Sequence, residues 1–415
     1  MRDRELYAQI LGVVFPWRVH DVQLDVAGEQ VTVFVQAEAS AAWKCPECGR
    51  EAPRYDQRSR RWRHLDTCQF QTYLVADVPR VQCPEHGVRQ VAVPWAEPNS
   101  GFTALFEALV IDWLREASMS AVSRQLGVTW DEVDRIMGRA VERGLARRQA
   151  QPVRRLGVDE TSFQKRHEYV TVVSDLEGGR VLEIADGRSR AALEECYGRL
   201  PPEQPQVVEA VAMDMSEPYI QATRAWLKAA ESRIAFDRFH VAKLLNDRVN
   251  DVRKREHREL QARGDRRLAG SRFLWLQSPE ALKGERRTRF ASLKQSTLAV
   301  ARAWALKEAA RHLWAYRTRG GATRGWKQWL GWAQRCRLEP MVDVSRTIRR
   351  YLWGIVNAVV SRTTSAVSES LNAKIQRIKR LACGFRNRER FRRAIFFHCG
   401  GLNLYPASLA THTKV

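Results

Sequence analysis

The stretch "RRLGVDETSF", residues 154–163, decides how the rest of the chain is read. Leu156 and Val158 alternate with small or polar neighbours, the period of a half-buried strand. Asp159 stands in its middle. Aspartate is a poor strand former, and a buried carboxylate without a partner is costly. Either the acid ends the strand or caps a turn, or a metal ion neutralises it together with carboxylates from elsewhere in the chain.

Working outward, "EYVTVVSDL" and "RVLEIADGR" read as two more strands, joined into a hairpin by the tight turn in "SDLEGGR". Lys165, Arg166 and His167 before them read as an exposed turn. "SRAALEECYGRL" is helical, "VVEAVAMDM" a strand, "EPYIQATRAWLKAA" a helix and "SRIAFDRFH" a strand. The order βββαβαβ is that of the ribonuclease H-like fold, a mixed sheet flanked by helices, so the expected class is α/β (mixed α+β). In such a sheet the first and fourth strands are neighbours, and Asp159 and Asp214 converge at one edge.

A third acid is expected from a later helix, and "SESLNAKIQRIKR" supplies Glu369. At 3.6 residues per turn, Leu371, Ile375, Ile378 and Ala382 form one apolar stripe. Glu369, Asn372, Gln376 and Arg380 fall opposite, an acid followed by amides and a cation. The bland alternative is an amphipathic helix whose exposed first-turn glutamate suits the helix dipole. Clustered carboxylates repel unless cations join them, and two divalent ions about 4 Å apart are the common solution. An oxygen-only set favours Mg²⁺ or Mn²⁺.

Residues 241–360 read as long helices, strongly basic at "RKREHRELQARGDRRL". Trp275, Trp304, Trp314, Trp326, Trp329, Trp332 and Trp353 fall in this part, half of the 14 tryptophans. They are expected to bury themselves in a core of their own.

Before residue 150 the grammar differs. "VQLDVAGEQVTVFVQAE" is a hairpin by alternation, "CQFQTYLVADVPRVQC" another alternating segment, and "VPWAEPNSGFT" a linker. "CPEC" at 45–48 and "CPEH" at 83–86 place Cys45, Cys48, Cys83 and His86 as four ligands for one tetrahedral Zn²⁺. A closed Cys₃His site leaves no open position, so this zinc is structural. His64 is a spare candidate ligand, read in preference as a packed or phosphate-facing histidine. Residues 103–148 have helical periodicity, and Thr129 with Glu132 makes a capping box. That is a helix-turn-helix outline, although any two short helices with a glycine turn share it.

The charge balance narrows the partner. Lys plus Arg is 69 against 47 for Asp plus Glu, a net charge of +22. Such an excess favours a polyanion, double-stranded DNA before an anionic membrane. Arg124, Arg135 and Arg139 in the helix-turn-helix, and Lys374, Lys379 and Arg380 on the late helix, are the candidate DNA contacts. No apolar run is long enough to span a bilayer, and the N-terminus lacks the pattern of a signal peptide. Cys196, Cys336, Cys383 and Cys399 are scattered singly, as reduced cytosolic thiols are.

With "GVDE", "DMSEPYI", "DRFHVAK" and "SESLNAKIQRIKRLACGFRNRERF" in view, the chain resembles the ISL3 family of insertion-sequence transposases, which are DDE-type enzymes. The ending "FFHCGGLNLYP" also resembles the family and suggests an intact C-terminus. The resemblance runs almost end to end. It implies a zinc-binding domain (1–100), a helix-turn-helix (101–150), a ribonuclease H-like core (151–240), a helical insertion (241–360) and C-terminal core helices (361–415). It further implies Asp159, Asp214 and Glu369 as the catalytic triad, a bacterial cytosolic, nucleoid-associated setting, and a homodimer or higher oligomer on DNA. The family usually has cysteine where this chain has His86, which remains a competent ligand. Asp237 and His240 of "DRFH", Arg188 of "ADGR" and Asn372 are accessory candidates; for the first two the alternative is a hydrogen-bonded structural turn, and for Arg188 a solvated strand end.

The function so implied is binding of terminal inverted repeats, 3′-strand cleavage and strand transfer. The rivals are a zinc-containing DNA-binding repressor and a nuclease without strand transfer.

Overall fold

The computed structural model describes residues 3–164, 168–363 and 366–407. Lys165, Arg166 and His167, expected as an exposed turn, lie outside the described residues. The chain divides into two compact units, one of Met1–Arg148 with Phe396–His398 and Leu402–Val415, the other of Gln149–Ile395 with Cys399–Gly401. Among the described residues no helix is long and apolar enough to cross a membrane.

The first unit opens with helix α1 (Asp3–Ile10) and a sheet of strands β1 (Trp17–Asp25), β2 (Gln30–Ala37), β3 (Arg54–Arg63), β4 (Gln71–Cys83) and β5 (Gly87–Gln90). Their order is β1-β2-β4-β3, with β5 also paired to β4. β1 and β2 form the expected antiparallel hairpin, and β2 runs parallel to β4. Val31, Val33 and Val35 of β2 and Leu74, Val78 and Val81 of β4 belong to one buried apolar cluster. Trp95 stands edge-on to Trp17 and Trp62, with ring centroids 5.0 and 5.5 Å away. The segment expected as a linker is therefore pinned to the core by its indole.

β3, "RYDQRSRRWR", is a strand that the sequence does not announce. Charge is tolerated there because β3 ends the pairing order. Charged side chains on an edge also discourage pairing with another chain.

Three helices follow: α2 (Ala104–Glu116), α3 (Met119–Leu126) and α4 (Trp130–Ala146). Each starts at a hydroxyl cap, Thr103, Ser118 or Thr129, and the Thr129–Glu132 capping box is complete in both directions. Gly127 ends α3 in the left-handed region at φ 62°, where a Cβ would be strained.

The second unit is a mixed α/β assembly. Strands β6 (Arg155–Gln164), β7 (Glu168–Asp175), β8 (Arg180–Asp186), β9 (Ala210–Met213) and β10 (Ile234–Phe236) lie in the order β10-β9-β6-β7-β8. β6, β7 and β8 form an antiparallel meander, whereas β9 and β10 run parallel to β6. Helices α5 (Arg190–Gly198), α6 (Gln204–Val207), α7 (Glu217–Trp226) and α8 (Ala230–Arg233) make the crossovers. The last expected strand, "SRIAFDRFH", keeps only Ile234–Phe236. Asp237 caps the next helix, α9 (Arg238–Ala262), by accepting from the Phe239 amide, so His240 lies in a first helical turn.

α9 leads into α10 (Arg272–Leu276), α11 (Gly284–Gln295), α12 (Ala299–His312), α13 (Arg319–Arg335), α14 (Glu339–Arg350) and α15 (Leu352–Ser361). Their indoles do not form a separate core. Trp275, Trp326 and Trp329 belong to one continuous apolar cluster with Val158, Val211 and Phe236 of the sheet. The seam closes at β10, where Phe236 meets Tyr351 and Trp353 edge-on at 5.4 and 4.9 Å. Gly354 of α15 lies against the Phe236 ring so closely that a Cβ would overlap it.

The chain then returns through α16 (Ala366–Leu381) and α17 (Arg388–Cys399). α16 lies along β6 and buries Leu371, Ile375 and Ile378, whereas Ala382 is exposed and does not join the stripe.

Candidate functional site

The four zinc-type ligands come together. Cys83 ends β4, and His86 sits in the turn before β5. The glycine after each pair, Gly49 or Gly87, adopts a left-handed conformation, with φ 73° and 66°. The ligand atoms of Cys45, Cys48, Cys83 and His86 all lie within 4.8 Å of one another. Cys48 and Cys83 sulfurs are 3.7 Å apart, and His86 Nδ1 is 3.5 Å from Cys83 and 3.8 Å from Cys45. Thiolates at about 2.3 Å from a tetrahedral zinc sit about 3.8 Å apart, so the set fits a closed structural site. The His86 hydrogen bond draws the Cys83 thiol down to about 6, which favours the thiolate. His64 is no ligand: it is buried and hydrogen-bonds Thr103 Oγ1 at 2.9 Å through Nδ1.

In the helix-turn-helix, Arg124 and Arg135 are exposed. Arg139 is not offered to a ligand: its guanidinium pairs with the fully buried Glu107 at 2.5 Å.

At the sheet, β6 and β9 pair Gly157 with Ala212, and β9 and β10 pair Met213 with Phe236. One or two residues further on, Asp159, Asp214 and Asp237 therefore reach the same level, Asp214 and Asp237 just past the ends of β9 and β10 and Asp159 midway along β6, beyond its last pairing with β9. The opening acid thus stands in mid-strand at the point where β6 loses its partner β9 and two further acids come level with it.

Each carboxylate is held differently. Asp159 accepts from the Glu160 amide at 2.7 Å and from Asn372 Nδ2 at 2.6 Å. Burial, helped by the charge of Asp214, pushes its carboxyl up to about 6. His240 Nδ1 lies 2.6 Å from Asp214 and 2.8 Å from Asp237. Burial disfavours its charged form, but the two carboxylates prevail and push it up to about 10. His240 thus stands as the counter-charge between two acids, and the ligand atoms of Asp214, Asp237 and His240 are mutually within 4.8 Å. Asp159 and Glu369 lie outside that tight group.

Glu369 is exposed in the first turn of α16. The amides, expected on the side opposite the apolar stripe, reach the sheet as well: Asn372 reaches Asp159, and Gln376 donates to Thr161 Oγ1 at 2.8 Å. Lys379 donates to the Ser162 carbonyl at 2.9 Å, whereas Lys374 and Arg380 are exposed. The reason is geometric. Four helical residues rise about 6 Å and two strand residues about 6.6 Å, so polar side chains along α16 can meet every second residue of β6.

Glu160 is a site residue that the sequence reading missed. Its signal was the acid pair "DE", since adjacent strand residues point to opposite faces. Burial raises its carboxyl, and Arg188 at 3.6 Å opposes the rise. Arg188 also lies over the Tyr169 ring at 4.5 Å. Glu160 and Arg188 line a cleft of about 760 Å³ with Asp214, His240, Lys243 and Arg350.

Comparison with known proteins follows this division. Residues 156–395 match a family described as transposase, 91–141 a helix-turn-helix domain of transposase family ISL3, and 41–86 a zinc-finger of transposases IS204, IS1001, IS1096 and IS1165. The chain is 30% identical to the transposase for insertion sequence element IS1557 of Mycobacterium tuberculosis, over 93% of each chain. It is 26% identical to the transposase for IS1001 of Bordetella parapertussis, over 94% of this chain and 97% of that one.

Proposed function

Because the chain belongs to the ISL3 family of insertion-sequence transposases, we propose that it binds the terminal inverted repeats of its element, cleaves the 3′ strands and joins them to target DNA. The second unit is then a ribonuclease H-like core carrying a helical insertion. The observation that carries this reading is the shared level of Asp159 and Asp214 on neighbouring parallel strands.

Asp159, Asp214 and Glu369 would hold divalent cations, Mg²⁺ or Mn²⁺. The donors are hard oxygens, and the His240 imidazole held between Asp214 and Asp237 supports a place that draws positive charge. Bound there, such ions would supply Lewis acidity for the attacking and leaving oxygens of an in-line phosphoryl displacement. The other side chains position these acids. Asn372 orients Asp159, Asp237 fixes the His240 ring, and His240 orients Asp214. Arg188 offers a guanidinium to the phosphate.

Arg124 and Arg135 would contact the element ends, and Lys374 and Arg380 the backbone. Arg139 and Lys379 instead support the protein's own structure, through Glu107 and Ser162. Two ends must be held together for joining, so the working form is a homodimer or larger.

The test is incubation of purified protein and Mg²⁺ with DNA carrying the element's own ends, followed by strand-resolved mapping of products. Nicks at the 3′ ends followed by joined products are expected. Binding without cleavage would favour a repressor, and cleavage without joining a nuclease.

A further inference from the structure

The first two turns of α9 carry a pairing that the acids do not use. Phe239 is 54% exposed, immediately before His240 and two residues after Asp237. Its ring meets the His240 ring edge-on at 5.7 Å, so a large apolar surface stands in water beside the acid cluster. Single exposed apolar residues are ordinary, but this one has a polar companion. Lys243, four residues on, is exposed and lines the cleft that Asp214 and His240 also line. Residues four apart lie on one helix face, about 5–6 Å between Cβ atoms.

An aromatic ring with an ammonium one turn away suits a single nucleotide whose base has left the stack. The ring takes the base face, and the cation takes its phosphate. A duplex gives a stacking residue no base face, so occupancy of Phe239 requires local unpairing, cheapest at a strand end or a weak pair. The net charge of +22 makes a polyanion the fitting occupant rather than an apolar peptide.

We propose that Phe239 and Lys243 hold an unstacked nucleotide next to the scissile phosphate, the base on the Phe239 ring and the phosphate on the Lys243 ammonium. The inference rests on the active-site reading above and adds to it a demand for local unpairing of the DNA.

The test uses the full-length protein and element-end DNA with 2-aminopurine at successive positions around the cleavage site. Without added Mg²⁺, the wild type should raise the fluorescence at one position, and Phe239→Ala should abolish that rise while Phe239→Trp retains a change. Stacking losses translate into about 5- to 150-fold effects. Phe239→Ala should lose cleavage in that range on paired DNA, and distinctly less on DNA mismatched at that nucleotide. Lys243→Ala should weaken both substrates alike and lower the salt dependence of binding. A fluorescence rise that survives Phe239→Ala, or equal losses on paired and mismatched DNA, would overturn the proposal. A wild type that unstacks the base but cuts no DNA would instead refute the proposed strand cleavage and leave the nucleotide-holding role of Phe239 and Lys243 standing.

Discussion

Asp159 and Asp214 stand two residues beyond the paired Gly157 and Ala212, on parallel neighbours β6 and β9, and the charge of one raises the carboxyl of the other. Their repulsion is a property of the metal-free protein. Asp159→Asn removes one charge and keeps the shape. Above about pH 6, where the wild-type acid is ionised, the variant should melt later, by about 1–2 kcal/mol of stability. It should bind element ends normally and fail in both cleavage and joining. Asp214→Asn and Glu369→Gln should lose both reactions too, and combined variants should lose little more, as residues acting as a unit do. Asp237→Asn should retain measurable cleavage, because Asp237 acts through His240. Unfolding of Asp159→Asn would favour the reading in which that acid is only structural.

Zinc should be present at one ion per chain in freshly purified protein. Cys48→Ser should release it, unfold the zinc-binding region and weaken end recognition, with the second unit still folded. Metal analysis and limited proteolysis report the two outcomes separately. Absence of zinc in protein never exposed to a chelator would refute the site.

Arg135 and Arg139 lie four residues apart on α4 and should behave in opposite ways. Arg135→Ala should leave stability alone and reduce preference for element ends over random DNA. Arg139→Ala strips the closest cation from Glu107, which is 1% exposed and otherwise has the Ser100 hydroxyl at 2.7 Å and Arg143 at 3.7 Å. A loss of about 2–4 kcal/mol in denaturant unfolding is expected, since an underpaired buried charge remains. Glu107→Gln in the same chain should restore part of it.

His64 gives the first unit an acid limit. Burial, with the Arg63 charge adding, lowers its imidazole to about 4, whereas an unfolded histidine titrates near 6.5. The unfolded chain therefore binds the proton first as pH falls. Stability is complete above the unfolded value and is lost from there down to the folded one, by up to about 3 kcal/mol. His64→Gln should flatten the pH dependence of the thermal midpoint in that window. An unchanged slope would show that the zinc ligands alone set the acid limit.

Legibility varied with the range of the interactions. The zinc pairs, the Thr129 cap and strands β6 to β8 are written in residues close together, and local chemistry specifies them. β3 was hidden because an edge strand with five arginines carries no apolar alternation. The placement of Asp237 failed by one residue: strand and cap are both extended, and only the Phe239 amide separates them. The continuity of the tryptophan core with the sheet depends on Gly354 meeting Phe236, more than a hundred residues apart in sequence. For the site, the nearness of Asp159 in one strand to Asp214 at the end of its neighbour was legible from element order. The contact of Asn372 with Asp159 was not, because it depends on which side of α16 meets β6.

The polar contacts between α16 and β6 act as an indexing scale. Apolar side chains alone would let a helix creep along a sheet by fractions of an ångström with little penalty. Amides seated on Asp159 and Thr161 admit only discrete settings, and a slip of one residue forfeits both bonds. The height of α16 is therefore read locally, from β6 itself, and not inherited from the long helical excursion that precedes it. Loops within that excursion can lengthen or shorten without moving the first turn of α16 relative to the strand ends.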